Sequence, residues 1–361
     1  MIAFPSTVCA LAVAAALALA LSAPAAGAGF VDVLDSPAQM SALASRSLLQ
    51  KVTRAGHRLV AVGQRGHVVV STDGGTTWKQ SRVPVSSDLT SVYFAGDTHG
   101  WAVGHDGVIL HTADGGESWE LQLSGRTANE LLVTAMERKV AADPASGDAK
   151  KLLEEAKRYA EQGADKPFLD VWFADASTGY AVGAYNLIVR TVDGGRTWES
   201  WFDRTENPKF FNLYAIAPVG GDVYVAGEGG VVMKLDVATQ RFRALSTGYN
   251  GSFFGVADAG SAVLVFGLRG NAYRSQDGGS TWTKVETGLA ASLVGATRTA
   301  RGALLLADVG GRMAQSTDDG RTFSQIGLKQ PMPVAAIADA GEGKVALAGP
   351  RGVAVSEAFS R

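Results

Sequence analysis

Cysteine is nearly absent: the 361-residue chain carries one, Cys9. It falls inside an apolar leader, so the mature protein is expected to hold no disulfide, no thiol nucleophile and no cysteine-based metal site. An excess of one charge is missing too. With 33 Lys and Arg against 35 Asp and Glu, the net charge of −2 gives no global pull toward nucleic acid or an anionic membrane. Histidine is scarce. His57, His67, His99, His105 and His111 lack ligand spacing, and strand alternation separates His99, His105 and His111, so no metal site is expected. There is no P-loop or dinucleotide fingerprint, because "GEGG" at 227–230 lacks a following helix, and no cofactor is expected. The leader's own apolar run, about 15–17 residues, is short for a membrane anchor.

The leader occupies residues 1–28. "TVCALAVAAALALALSA" runs into "APAAGAG", with Ala26-Gly27-Ala28 as a cleavage site, and reads as a secretory signal peptide. Export without cysteine points to a bacterial periplasm rather than to a disulfide-rich extracellular module.

What is abundant is glycine, 44 residues, and repetition. The stretch "STDGGTTW" at 71–78 returns as "TADGGESW", "TVDGGRTW", "SQDGGSTW" and "STDDGRTF". These copies place Asp73, Asp114, Asp193, Asp277 and Asp318 in one repeated turn, followed by Trp78, Trp119, Trp198 and Trp282, and by Phe323 in the last. Upstream of each lies an apolar pair, a glycine and a short turn. That element recurs at 61, 102, 181, 225, 265, 306 and 347, which makes seven copies. Most intervals are 41–43 residues, with four apolar-alternating runs per copy, the pattern of a propeller blade. The fold expected is therefore all-β, a seven-bladed β-propeller over residues 29–361. Glycine supplies the positive φ of the turn between third and fourth strands, the aspartate ties the loop, and the tryptophan fills the space between blades. Carboxylates spread around a ring cannot converge on one catalytic centre, so their role is structural.

The seventh copy has three apolar runs. An unfilled outer edge is something proteins avoid, and "GFVDVLD" at 29–35 is the expected outer strand of the last blade. One interval, Asp114 to Asp193, is 79 residues. The excess at 124–167 reads as a helical hairpin inserted between blades 2 and 3. Thr127 and Glu130 have capping-box spacing, and Leu152, Leu153, Ala156, Tyr159 and Ala160 form one face ending at Gly163. As a blade-to-blade connection, the hairpin belongs on the end opposite the Asp-Gly-Gly turns. It shares that end with the residues that follow each "AVG"-like run: Arg65, Asp106, Tyr185, Asn186, Glu228, Arg269 and Arg351. Arginine is not a turn former, so its presence in three of seven turns suggests a docking surface. Arg65, Arg269, Arg351, Tyr185, Asn186 and Tyr249 are the candidate partner-binding residues.

The paired stretches "GWAVGHDGVILHTADGGESW" (100–119) and "GYAVGAYNLIVRTVDGGRTW" (179–198) resemble the photosystem II stability/assembly factor family. The resemblance covers residues 48–355. It implies a non-catalytic protein that binds a membrane-protein complex through an arginine patch, for which Arg65, Arg269 and Arg351 match by repeat position. It also implies residence in the periplasm, or in the thylakoid lumen of a phototroph. By analogy with exported relatives, the partner is a photosystem-like complex or a transporter of the RND class. The rival class for such aspartate turns is a sialidase-like glycoside hydrolase. No "RIP" motif is present, and Asp106 and Glu228 fall on separate blades, whereas glycosidases need two carboxylates about 5–10 Å apart.

Overall fold

The computed structural model describes residues 31–360, so the expected signal peptide lies outside the described residues. Blade 1 is the antiparallel sheet Leu49–Ala55, Arg58–Gly63, Val68–Ser71 and Lys79–Gln80, in chain order. The same meander builds blade 2 from Leu89–Phe94 and blade 3 from Phe168–Phe173. Blades 4, 5 and 6 begin at Leu213–Val219, Phe253–Asp258 and Leu293–Arg298. Blade 7 holds Ala336–Gly341, Lys344–Gly349 and Gly352–Ser360. Each first strand packs against the first strand of the next blade, and Ala336–Gly341 packs against Leu49–Ala55, which completes a ring of seven. The second strands are buried apart from the first residue in blades 1, 4 and 7, because a blade stacked between two neighbours has no solvent face.

The repeated turn works as a carboxylate clamp. Asp73 Oδ1 accepts from the Ser71 hydroxyl at 2.8 Å and from the Thr76 and Thr77 N–H groups at 3.0 and 2.9 Å. Its Oδ2 accepts from the Thr77 hydroxyl at 2.6 Å, and Gly74 and Gly75 take φ of 70° and 88°. The hydroxyls of Ser118, Thr197, Thr281 and Thr322 repeat the last bond at 2.6–2.7 Å. Blade 4 has lost the glycines, yet Asp236 still accepts from the Thr239 hydroxyl at 2.6 Å. Trp78, Trp119 and Trp282 donate their indole N–H to the second glycine of their own turn, and Trp119 and Trp198 pack into clusters that span two blades.

These clamps make the ring acid-sensitive. The hydroxyl and N–H of Thr77 hold Asp73 down to about 2, and those of Thr197 do the same for Asp193. Burial works against the shift at Asp114 and is outweighed by Ser118 and Thr112, leaving it also at about 2. A carboxylate whose folded pKa is depressed stabilises the fold above its ordinary value of 3.8, and that contribution disappears as pH falls through the folded value. Urea midpoints should therefore decline between about pH 4 and pH 2, and an Asp193→Asn variant should show a shallower decline over that window. A midpoint flat to pH 2 would contradict the clamp.

Ring closure differs from the sequence expectation. Residues 31–35 do not form the outer strand of blade 7. Val33 O accepts from Ser86 N at 2.9 Å and Ala38 N donates to Val83 O at 3.0 Å, so this arm runs beside the connection leaving blade 1. The long third strand of blade 7 instead turns its tail onto blade 6, pairing Leu328 with Ala358 and Ile326 with Ser360. Blades 6 and 7 thereby form one seven-stranded sheet.

The insertion is a helical hairpin. α1 (Gly125–Ala142) starts two residues before the expected cap: Ser124 is the N-cap, and Thr127 reaches back to accept from its N–H at 3.1 Å. α2 (Gly147–Gln162) is capped by Ser146 and ends at Gly163, φ 88°. Ala128, Leu132 and Met136 of α1 meet Ala156 and Tyr159 of α2 in a cluster with Phe168, Leu187 and Phe202 of the propeller. Ala160, expected on the buried face, is exposed.

Along the axis the inner strands enclose a cavity of about 310 Å³. Asp170 stands in its wall. It accepts from the Ser91 hydroxyl at 2.6 Å and from Ile216 N at 3.0 Å, with Lys51 Nζ at 3.7 Å.

Candidate functional site

The turns between second and third strands carry the residues of interest. Five are alike: Gln64–Gly66, His105–Gly107, Ala184–Asn186, Glu228–Gly230 and Leu268–Gly270. In each, the middle residue is left-handed: Arg65 at φ 56°, Asp106 at 56°, Tyr185 at 52°, Gly229 at 63° and Arg269 at 55°. For a non-glycine side chain that conformation costs roughly 1–2 kcal/mol. The next blade holds it in place. The N–H of Arg65 donates to Asp88 Oδ1 at 2.7 Å, that of Tyr185 to Asn212 Oδ1 at 2.9 Å, and that of Arg269 to Ser292 Oγ at 3.3 Å. The side chains of all three stand exposed.

Arg351 lies in a tighter hairpin, where Gly349 pairs with Gly352, and is also exposed. Two further arginines join this end. Arg312 closes the turn of blade 6, its Nε donating to the buried Asp308 Oδ2 at 2.8 Å. Arg46 ends the short turn Ala44–Arg46, whose backbone lies so close to Gly352 that a Cβ there would meet Ser45 O at 2.1 Å. Arginines therefore run continuously over blades 5, 6, 7 and 1. Arg46, Arg65, Arg269 and Arg351 have no carboxylate within ion-pair distance among the described residues. The repeat pattern hides Arg46, which belongs to the arm, and Arg312, which sits one place past the turn. Beside Arg65, burial and then the guanidinium charge lower the pKa of His67, whose Nδ1 lies 2.9 Å from Ser47 Oγ.

Exposed apolar side chains share this end. Met40 and Leu43 of the arm are 60% and 61% exposed, Tyr185 51% and Val309 49%. The hairpin borders the opposite arc: Gly125 abuts the carbonyl of Asp106, and the Tyr159 hydroxyl donates to Tyr185 O at 3.2 Å. The aspartate clamps are at the far end, where Gly115 N bonds Thr98 O and Gly194 N bonds Ser177 O in the turns between first and second strands.

Two sequence candidates are engaged inside the fold, Asn186 wholly and Tyr249 in part. Asn186 is 1% exposed and spends its amide internally, Nδ2 donating to Phe202 O and Oδ1 accepting from Thr205 and Asn207. Its work is to fix the connection leaving blade 3. Tyr249 is half-buried, its ring between Phe253 and Tyr273 at 5.3 and 5.5 Å and its hydroxyl on Leu268 O. The histidines also differ from expectation. His105 stands apart, but His99 Nδ1 and His111 Nε2 meet at 3.2 Å, because the residue before one strand faces the third strand of the same blade. Among the described residues no group of three or more His, Cys, Asp or Glu has metal-binding geometry. No helix among them is long and apolar enough to cross a membrane. Asp106 and Glu228 are separated by blade 3, and the Glu228 carboxylate accepts from Asn212 N at 3.2 Å.

Comparison with known proteins agrees with this geometry. A chloroplastic photosystem II stability/assembly factor HCF136 of Arabidopsis thaliana is 23% identical over 263 residues, covering 62% of this chain and 63% of the relative, so the chain spans less than two thirds of that protein. The photosystem II assembly lipoprotein Ycf48 of a Synechococcus strain is 28% identical over 162 residues, 44% of this chain and 48% of its own. A solved structure of YCF48 bound to a D1 peptide superposes with a TM-score of 0.61 at 17% identity, over 89% of this chain and 96% of the other, which speaks to the fold alone. The model of the photosynthesis system II assembly factor YCF48 family matches residues 45–145 and 151–314, and the chain belongs to that family.

Proposed function

We propose that the chain is a non-catalytic assembly factor of an exported compartment, periplasmic or lumenal, that docks a membrane-protein client on its arginine-bearing end. The observation that carries this reading is the arc of arginines, four of them (Arg46, Arg65, Arg269 and Arg351) with no carboxylate in ion-pair distance among the described residues and two held in left-handed turns where glycine would be the unstrained choice. Guanidinium groups recognise carboxylates in a forked geometry, and the neighbouring exposed Met40, Leu43, Tyr185 and Val309 supply the apolar area that docking surfaces need. Family membership favours a photosystem-type client, and nothing in the comparisons points toward an RND-class transporter.

The test exploits the strain. A combined Arg65→Gly, Arg269→Gly, Arg351→Gly variant should keep its melting temperature, because relief at the two left-handed positions offsets the added chain entropy. It should lose at least tenfold in capture of the client from detergent-solubilised membranes. Undiminished capture by this variant would overturn the assignment of this surface. A fluorogenic sialidase assay on the purified protein addresses the hydrolase alternative directly, and turnover there would sink the non-catalytic reading.

A further inference from the structure

The connection from blade 4 to blade 5, residues 246–252, holds an asparagine whose side chain is idle. The sequence has six asparagines, and five of them are engaged. Asn129 donates to Gly163 O at 2.8 Å, and Asn186 and Asn207 knit the connection leaving blade 3. Asn212 accepts from Tyr185 N at 2.9 Å, and Asn271 donates to Leu268 O at 2.8 Å. Asn250 is exposed, and its amide makes no hydrogen bond among the described residues. It is also the one of the six that glycine follows.

That glycine is imposed by the fold. A Cβ at residue 251 would meet the Tyr249 hydroxyl at 2.1 Å, and this hydroxyl is fixed on Leu268 O at 3.3 Å. The Gly251 N–H has no hydrogen-bond partner among the described residues either. A glycine nitrogen carries no neighbouring Cβ to block its approach to the side-chain carbon before it. Asparagine is a thermolabile residue, and here both reacting groups are free.

The site is fastened to the arginine arc on both sides. Tyr249, before it, bonds Leu268 O, and Ser252, after it, accepts from Leu268 N at 3.0 Å. Leu268 opens the turn that presents Arg269. The blade 4 turn lies against the same connection: a Cβ on Gly230 would meet Tyr249 O at 1.9 Å.

We infer that Asn250–Gly251 is a self-modifying site, at which the chain deamidates without an enzyme and so weakens the arginine arc. The Gly251 nitrogen, its proton taken by hydroxide, attacks Asn250 Cγ. The Cγ–Nδ2 bond breaks, the nitrogen leaves as ammonia with that proton restored, and a succinimide closes. Water then opens the ring. Breaking the bond from Gly251 N to Cγ gives aspartate; breaking the bond to the main-chain carbon of residue 250 gives isoaspartate. One water enters, one ammonia leaves, and nothing is oxidised or reduced. Either product places a new carboxylate in the connection bonded to the Arg269 turn, and such a charge acts by ordinary electrostatics. Isoaspartate also takes Cβ into the main chain between Tyr249 and Ser252, the two anchors on Leu268. The effect on docking rests on the client-binding reading above; the modification does not.

Purified protein held at mildly alkaline pH in heavy-oxygen water, and sampled by peptide mass spectrometry, provides the test. Isoaspartate methyltransferase labels the isoaspartate fraction. Acid should form at Asn250 at least about tenfold faster than at any other asparagine, carry the heavy oxygen, and slow as the pH is lowered. An Asn250→Ser chain should form none there and keep its client capture. Aged protein and an Asn250→Asp variant should capture the client about two- to fivefold less well, the worth of one exposed charge. Added salt should narrow that gap. Acid appearing first at another asparagine, or at Asn250 only after unfolding in urea, would overturn the site. Undiminished capture by both acidic forms, where the Arg65→Gly, Arg269→Gly, Arg351→Gly variant does lose capture, would overturn the effect on docking. Undiminished capture by that triple variant too would sink the docking surface, while the mass measurement still decides the modification.

Discussion

Replacing Asp170 with alanine should cost the propeller about 2–4 kcal/mol, because two buried donors lose their acceptor at about 1–3 kcal/mol each while the Lys51 side chain left behind is 39% exposed. The carboxylate sits on the inner strand of blade 3, yet its partners come from three other blades: Ser91 of blade 2, Ile216 of blade 4 and Lys51 of blade 1. Alanine leaves a buried N–H and a buried hydroxyl without acceptors and an ammonium without its counter-charge. Asparagine can still accept from Ser91 or Ile216, so Asp170→Asn should lose well under half as much. Equilibrium urea unfolding of the three proteins measures both differences. A loss below about 1 kcal/mol for alanine, the size of an ordinary hydrogen bond, would show that the axial tie is not holding the blades.

Tyr159→Ala should release the helical hairpin while the wheel stays folded. The ring is fully buried, meets Phe202 edge-on at 5.9 Å, and carries the Lys166 ammonium 4.9 Å above its face. Burial pushes its phenol up to about 12, so it stays a neutral donor to Tyr185 O throughout the working pH range. Truncating a buried aromatic costs about 3–5 kcal/mol, and here the loss falls on the contact between hairpin and blade 3. Amide exchange and limited proteolysis should therefore speed up within residues 125–163 and remain unchanged in blades 5 and 6. Tyr159→Phe, which forfeits only the hydroxyl bond, should lose about 1 kcal/mol. Uniform acceleration across all blades in the alanine variant would show that the hairpin is integral to the ring and not an appended element.

The wheel was legible in the residues because its turns are chemically obligatory. A carboxylate four residues before a hydroxyl, with glycines between, has few uses other than the loop that Asp73 and Thr77 form. The hairpin showed as a break in the count. What stayed hidden depends on contacts with no periodicity. The arm at 33–47 binds through backbone groups to residues 83–86, and nothing in "GFVDVLD" distinguishes that path from strand pairing. Asn186 occupies a turn position whose neighbours are exposed, and only the fold of residues 202–207 reveals that its amide is consumed inside. Arg46 and Arg312 escaped because they fall outside the repeated turn, and the meeting of His99 with His111 because it crosses a hairpin.

Among the described residues, the arm before blade 1 lends no strand to the last blade. The last blade is stitched to the sixth, and its contact with the first is made by packed side chains and by the arm at Ala44–Arg46. Opening of the circle should therefore begin at that join. Arg46, Arg65 and Arg351 flank it, so a client held by all three would act as a hasp across the gap, coupling its own capture to the endurance of the whole wheel.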